Sequence, residues 1–212
     1  MTDHDHGHDH EQAREHEHEH EHEHHHHHAP LDYEAAIEAF RAEKDEFFKE
    51  DPGSPLAPED HELFTAIAYF PPNRAFAVGG LALEPADAGE ERTLQIPTSD
   101  GRLREANRVG RLRFVLEDRE MSLHGYRFAG MDDGDLFVPF LDLTSGNETY
   151  GAGRYLDLTP DDDGTYTLDF NLAYHPTCVF SPRFSCPLTP EENRLPIRVE
   201  AGEKLTPGIG EH

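Results

Sequence analysis

RLRFVL (residues 111–116) alternates charged and apolar side chains, and this alternation decides the class of fold. Leu112, Phe114 and Leu116 point one way and the two arginines between them point the other, as in a strand with one buried face and one face in water. TYTLDFN (residues 165–171) has the same period of two. These stretches predict a β-sheet to which each strand contributes one apolar face.

Eight segments with this period, or with a short apolar run, are predicted strands. They are residues 76–83, 93–97, 110–116, 121–128, 136–140, 153–158, 165–173 and 194–199. LFVPF (residues 136–140) is apolar on both faces, which predicts the most central strand. Because the segments are short and are separated by Gly, Asn and Asp turns, we expect a mainly β fold, an antiparallel sandwich or a curled barrel.

One helix is predicted before the strands. DYEAAIEAFRAEKDEFFKE (residues 32–50) carries apolar residues at largely helical spacing, with Asp32 placed to cap its start and a Pro- and Gly-containing segment after its end. Residues 58–65 resemble the first turns of a second, short helix. The sequence therefore predicts a helix packed on a β-rich body.

The charge of the chain restricts its partners. Its 212 residues carry a formal net charge of −26, and 44 acids face only 18 basic residues. Such a surface repels phosphates and anionic lipids, which argues against nucleic-acid and membrane partners. No apolar run reaches the ~20 residues of a spanning helix and no secretory signal opens the chain, so we expect a cytoplasmic protein. The acidity is typical of halophilic proteins, which stay soluble at high salt.

The composition changes abruptly after residue 28. Residues 1–28 have no apolar side chain larger than alanine after the first methionine, which predicts a disordered tail. Residues 29–212 are long enough for a single β-rich domain with an N-terminal helix.

The tail is rich in metal-binding side chains. Histidine alternates with Asp and Glu until it forms an uninterrupted run, and neutral imidazole binds zinc, nickel and copper. The candidate ligands in the tail are His4, His6, His8, His10, His16, His18, His20, His22, His24, His26 and His28. We expect the tail to sequester a divalent transition metal, zinc first, as a store, a delivery arm or a sensor; a neutral extension and an expression tag are the alternatives.

A second candidate site is a small-ligand pocket around residues 150–157. Glycines and hydrogen-bonding side chains are concentrated there, which strands usually avoid unless something approaches the backbone closely. Arg154 is a candidate anion clamp and the tyrosines are candidate walls. The proposed ligand-binding residues are Tyr150, Arg154, Tyr155, Asp157, Asp169 and Asn171. The alternative is a bulged hairpin in which the arginine pairs internally with one of the two aspartates.

A third candidate is a metal site in the body. His175, Cys178 and Cys186 supply three zinc-binding side chains within twelve residues, and Asp169, His124 or Glu192 are candidates for a fourth ligand. Spacing alone leaves two alternatives open: a disulfide between the cysteines, which a reducing cytoplasm disfavours, and two inert buried thiols. The dinucleotide, phosphate-loop, zinc-protease and serine-hydrolase motifs are not present in the sequence.

Several blocks of the body resemble a known family. FFKEDPGSPL, YFPPNRAF, LFVPFLDLTSGNETYGAGRYLDL and the stretch from LDFNLAYHPTC to IRVEAGEK resemble, in this order, the bacterial and archaeal family called domain of unknown function 1684. The resemblance covers residues 34–204 and leaves the tail outside. It implies a domain identity and no activity, so three hypotheses stay open: a binding protein with a metal-sequestering tail, an enzyme with a small-ligand pocket, and an interaction module.

Overall fold

The computed structural model describes residues 32–87 and 89–210. In these residues one α-helix precedes eight strands that pair with one another in the antiparallel sense, so the predicted mainly β class is confirmed. The helix and strands are α1 Tyr33–Glu50, β1 Ala77–Leu81, β2 Leu83–Pro85, β3 Thr93–Pro97, β4 Leu103–Leu116, β5 Arg119–Arg127, β6 Leu136–Phe140, β7 Arg154–Leu158 and β8 Tyr166–Asp169.

The strands form two sheets. Six strands form one sheet in the order β2-β4-β5-β6-β7, with β3 also paired to β4, and β1 pairs with β8 in a second, two-stranded sheet. In the part of the chain that is described, no sheet closes on itself. The barrel alternative is therefore wrong, and the fold consists of open antiparallel sheets.

A hairpin with a bulge forms the centre of the larger sheet. Glu117 and Asp118 have positive φ angles of 51° and 58°, the conformation of the two-residue turn that best matches the twist of paired strands. The register of β4 against β5 shifts between Arg108 and Gly110. An extra residue in a strand reverses which side chains face the core, so Ala106 lies on the face of the sheet opposite to Leu112.

Both faces of the larger sheet are covered. The main core lies on one face and includes Leu112, Leu123 and Val138, each fully buried. A smaller apolar cluster, which we call the second face, lies on the other side and includes Phe137 and Tyr155. All five residues of β6 are buried and β6 lies between two other strands, as the doubly apolar LFVPF predicted.

Four predicted strands differ from the structure. β4 begins at Leu103, seven residues before the predicted start of the strand at residue 110. Residues 194–199 form an extended segment instead of a regular strand. Pro196 has no backbone N–H to donate to a neighbouring strand. The backbone hydrogen bonds of this segment to the residues that follow β6 are therefore widely spaced. The predicted strand at 165–173 ends early at Asp169, whose carboxylate accepts a hydrogen bond from the Asn171 N–H and starts a 3₁₀ helix. The predicted strand at 76–83 is divided between β1 and β2.

The helical region also differs in part. α1 agrees with the prediction within a residue at its start, but the carboxylate of Asp32 makes no capping hydrogen bond. Residues 58–65 form turns and not a helix. α1 is attached by mixed contacts: the rings of Phe48 and Phe180 meet edge to face at 4.9 Å, and the Lys44 ammonium lies 2.6 Å from the buried Glu203 carboxylate.

Candidate functional site

The second face of the sheet opens into a cavity of about 550 Å³, which we call the aromatic cavity. This volume is in the range of small-molecule sites. Part of the lining is the second face itself, and the rest includes residues of the irregular segments 174–177 and 185–187. The cavity therefore lies between a rigid sheet and two loops, an arrangement suited to holding a ligand.

Four aromatic rings follow one another along the wall. Phe128 and Phe137 have ring centroids 5.3 Å apart, Phe137 and Tyr155 4.6 Å, and Tyr155 and Tyr174 5.7 Å; the last two pairs are edge to face. Aromatic pairs of this geometry stabilise one another by ~1 kcal/mol beyond the area they bury. The wall is therefore held in shape without a ligand.

Backbone pairing positions the two tyrosines. The chain at residue 174 lies beside β7, and the Tyr155 N–H donates to the Tyr174 carbonyl at 2.9 Å while the reverse bond is 3.1 Å. The Tyr174 hydroxyl donates to the Asp157 carboxylate at 2.5 Å, and the Tyr155 hydroxyl donates to the Pro187 carbonyl. Burial raises the pKa of both tyrosines, so both hydroxyls stay protonated and remain donors.

Arg104 supplies a cation at the edge of the cavity. Its guanidinium lies over the Phe128 ring, 4.0 Å from the centroid, a cation–π contact. Among the described residues no carboxylate forms an ion pair with Arg104, whereas Arg102 and Arg113 are paired with Asp100 and Glu84. The Arg104 guanidinium is thus free to bind an anion.

The structure divides the six predicted ligand-binding residues among four places. Tyr155 and Asp157 line the aromatic cavity. Tyr150 lines a separate cavity of about 420 Å³, and its backbone N–H donates to the His175 ring at 3.2 Å. The remaining three lie elsewhere, so the predicted single pocket around residues 150–157 is replaced by a cavity that only two of the six share.

Arg154 is inside the protein and does not clamp a ligand. It is 0% exposed, it donates to the backbone carbonyls of Val199, Ala201 and Glu203, and it lies 3.5 Å from the Asp142 carboxylate. The internal pairing that formed the alternative reading is present, but with Asp142 instead of Asp157 or Asp169. Arg154 begins β7 with its side chain on the main-core side, and both terminal nitrogens of its guanidinium are used by the fold.

Asp169 and Asn171 connect the β-rich body to α1. The Tyr33 hydroxyl donates to the Asp169 carboxylate at 2.7 Å, and the Asn171 amide donates to the Tyr33 hydroxyl at 2.8 Å. The Asn171 amide also accepts from and donates to the backbone of Asn73. These bonds use the polar atoms of both residues within the protein, which makes their role structural.

Cys178 and Cys186 lie close together as free thiols. The Cys178 backbone N–H lies 3.3 Å from the Cys186 sulfur and the Thr177 hydroxyl 3.4 Å from it. Cys186 lines the aromatic cavity and Cys178 lines the smaller cavity next to Tyr150. The thiols therefore stand between the two cavities.

The predicted zinc site at His175, Cys178 and Cys186 is not formed. Within residues 32–87 and 89–210, no three His, Cys, Asp or Glu side chains lie together as a metal site. His175 is buried and its Nε2 accepts the Tyr150 N–H, so this nitrogen is already used within the protein. Burial, with the nearby positive charges of Arg154 and Lys44, lowers the pKa of His175 to about 3. The metal-binding prediction for the tail lies outside the described residues.

The sequence did not point to Arg104, Phe128 or Tyr174 as site residues. Arg104 precedes the predicted start of β4, and the bulge reverses the alternation on which the prediction depended. Tyr174 reaches the cavity because its backbone pairs with β7 after the chain has passed through β8 and a 3₁₀ helix. The one sequence feature that indicated a second apolar face of the sheet was β6, whose residues are apolar on both sides.

Open antiparallel sheets preceded by one α-helix define a β-rich domain, and an aromatic cavity lies on the second face of its larger sheet. The family described as "Protein of unknown function (DUF1684)" matches residues 62–204, and the chain belongs to this family. A solution NMR structure of the uncharacterized protein from gene locus rrnAC0354 of Haloarcula marismortui is 40% identical, with a TM-score of 0.61 over 81% of this chain and 94% of that one. No curated protein matches the chain. In residues 32–87 and 89–210, no helix has the length and apolar character needed to cross a membrane.

Proposed function

We propose that the protein binds a small planar molecule that carries one anionic group, and that the aromatic cavity is the site. The observation that carries this proposal is the free guanidinium of Arg104 at the end of a preformed aromatic wall. Aromatic walls accept planar ligands with little loss of side-chain freedom, and a guanidinium selects carboxylate or phosphate geometry.

The other polar groups of the cavity favour a single anionic group on the ligand. The Asp157 carboxylate already accepts the Tyr174 hydroxyl, and both are exposed toward the cavity as a fixed negative pair. A second anionic group near Asp157 would meet charge repulsion. The ligand is therefore expected to place its anion at Arg104 and its apolar ring along Phe137 and Tyr155.

The test is ligand-observed NMR with aromatic carboxylates and their matched primary amides as probes. The measurements are made at high salt, where screening reduces the general repulsion that a chain of net charge −26 exerts on anions. We expect the carboxylates to bind more tightly than the amides, and Arg104→Gln to weaken carboxylate binding about tenfold while leaving amide binding unchanged.

The matched control is Arg113→Gln, because Arg113 lies on the same strand and its guanidinium is bound to Glu84 at 2.7 Å. This variant should bind both probe classes as the parent protein does. Equal loss of carboxylate binding in the two variants, or no binding of any planar probe to the parent protein, would overturn the proposal.

We also propose that the His-rich tail, residues 1–28, sequesters a divalent transition metal, with zinc as the first candidate. The alternation of imidazole and carboxylate side chains supports this proposal. Because free imidazoles protonate near pH ~6.5, metal capture is expected to weaken below that pH.

The tail proposal is tested by zinc titration of metal-free protein purified without metal-affinity resin. A truncated protein that consists of residues 29–212 should bind much less zinc than the full chain and should give the circular dichroism spectrum of the folded domain. A truncated protein that keeps its capacity, or one that unfolds, would contradict the proposal. Acidification of the full chain from pH 7.5 to 5.5 should release bound zinc.

A further inference from the structure

The sulfur of Cys186 occupies a site made of hydrogen-bond donors. Its neighbours are the Cys178 backbone N–H at 3.3 Å, the Thr177 hydroxyl at 3.4 Å and the Cys178 thiol. The short 3₁₀ helix Thr177–Val179 directs its first N–H groups toward this sulfur. Donors arranged in this way stabilise a thiolate, whereas an inert buried thiol lies among apolar groups.

The backbone of Cys186 is fixed in place. Its N–H donates to the Ser99 hydroxyl at 3.1 Å and its carbonyl accepts the Ser99 N–H at 2.8 Å. Cys186 is buried, and it belongs to the lining of the aromatic cavity, which is the side from which a small molecule would approach it.

The protonation of the two thiols is unequal. Hydrogen bonds from Cys178 and Thr177 lower the pKa of Cys186 below that of an ordinary thiol, against the opposing effect of burial. The same interaction, in which Cys178 donates to the Cys186 sulfur, raises the pKa of Cys178. Cys186 therefore ionises more readily than Cys178, which is the order expected of an attacking and a resolving cysteine.

We propose that Cys186 and Cys178 form a reactive dithiol that is oxidised by a hydroperoxide entering through the aromatic cavity and closes into a reversible disulfide. The Cys186 sulfur attacks the terminal oxygen of the hydroperoxide, the O–O bond breaks, and the alcohol or water leaves with a proton. The resulting sulfenic acid is attacked by the Cys178 sulfur, water leaves, and the S–S bond forms. The two sulfurs together give two electrons to the peroxide, and a dithiol reductant restores them.

The change of charge sets the order of the two steps. While Cys186 is a thiolate, its negative charge and its hydrogen bond hold the proton on Cys178. Conversion of Cys186 to a neutral sulfenic acid removes both effects, so Cys178 ionises more easily at the moment when it must attack. Disulfides of this transient kind are the ones that reducing compartments contain. The proposal does not depend on the identity of the cavity's ligand.

The test uses the full chain, reduced and then treated with hydrogen peroxide in the presence of a chelator, because metals bound to the tail could oxidise thiols by themselves. We expect both thiols to disappear together, the mass to fall by two hydrogens, and dithiothreitol to restore both. Cys178→Ser should stop at a Cys186 sulfenic acid that dimedone traps. Cys186→Ser should slow oxidation of the remaining thiol by at least about tenfold.

Two further measurements test the dithiol without replacing either cysteine. In the unmodified chain, alkylation by iodoacetamide followed by peptide mapping should label Cys186 before Cys178, with a rate that rises at a lower pH than that of an ordinary thiol. Thr177→Val, which removes one donor, should move that rise to higher pH. Equal alkylation of both cysteines, thiols that resist peroxide, or independent oxidation of each to a sulfinic acid would overturn the proposal.

Discussion

The two sides of β7 use neighbouring residues in opposite ways. Arg154 points into the main core, where three carbonyls and the Asp142 carboxylate surround its guanidinium. Tyr155, the next residue, points to the second face and lines an open cavity. A polar group whose partners all come from its own fold has nothing left for a ligand. The binding capacity of this region therefore lies on the side with the less polar residue.

β6 shows the same contrast in an apolar strand. Val138 is fully buried in the main core, whereas Phe137 packs in the second face beside the aromatic cavity. One side is closed by other elements and the other side is covered only in part. The main core is expected to determine stability, and the second face is expected to determine binding.

The largest effect should come from the closed side of β7. Arg154→Met keeps the aliphatic stem but leaves the Asp142 carboxylate, 3% exposed, without its cation and three carbonyls without a donor. Removing one partner of a buried pair costs ~3–5 kcal/mol of unfolding free energy. Urea denaturation followed by circular dichroism measures it.

Arg113→Met is the surface comparison for that experiment. Arg113 is exposed and pairs with Glu84 at the surface, where water screens the two charges, so its loss should change the unfolding free energy little. If the two variants lost similar stability, the distinction between a structural guanidinium inside the fold and an ordinary surface arginine would fail.

The next effect compares phenylalanines on the two faces. Phe114→Ala removes a ring from the closed main core and should cost ~4 kcal/mol, whereas Phe128→Ala removes a ring from the cavity wall and should cost ~2 kcal/mol. The smaller cost is expected because water can enter the space next to an open cavity. Thermal and urea unfolding measure both values. A reversed order would show that the second face, and not the main core, holds the sheet together.

The sequence predicted the helix and strands of this fold better than it predicted the contacts between them. Alternation in RLRFVL placed Leu112 and Phe114 in the core, and α1 was found from its helical spacing, because these signals are local. The bulge near Gly110 is not local. A Cβ at Gly110 would overlap the Glu84 carbonyl, which belongs to the neighbouring strand β2. The bulge changes which side chains of β4 face the main core and so places Arg104 beside the cavity. Because this depends on β2, the sequence of β4 alone could not predict it.

The candidate site was predicted in part for the same reason. Tyr155 and Asp157 were named because they lie near glycines at a strand start, and they do line the cavity. Their partner Tyr174 lies in the irregular segment after β8, and their partner Arg104 lies near the start of β4, before the part of that strand that the sequence predicted. Neither position has a sequence signature. Whether a buried arginine is bonded internally depends on carbonyls nearly fifty residues away, as the contacts of Arg154 show.

The smallest effect concerns pH and His175, the residue that follows the Tyr174 wall. Its pKa is about 3 in the folded protein against a reference value of 6.5, so between these values the unfolded chain binds a proton that the folded chain does not. The stabilisation from the neutral ring is complete above pH 6.5 and is lost as the pH falls toward 3, at ~1.4 kcal/mol per pH unit.

His175→Gln removes this dependence, because a glutamine oxygen can accept the Tyr150 N–H and stays neutral at every pH. Between pH 6.5 and 5 the parent protein should lose ~2 kcal/mol of unfolding free energy that the variant does not lose. The tail histidines are present in both chains and cancel in the difference. His61→Gln, at an exposed position, is the control and should keep the parent's slope. The unfolding free energies of the parent and of His175→Gln could instead depend on pH in the same way. His175 would then have to bind a proton in the folded state as readily as in the unfolded state, and its assignment to a closed, buried environment would be wrong.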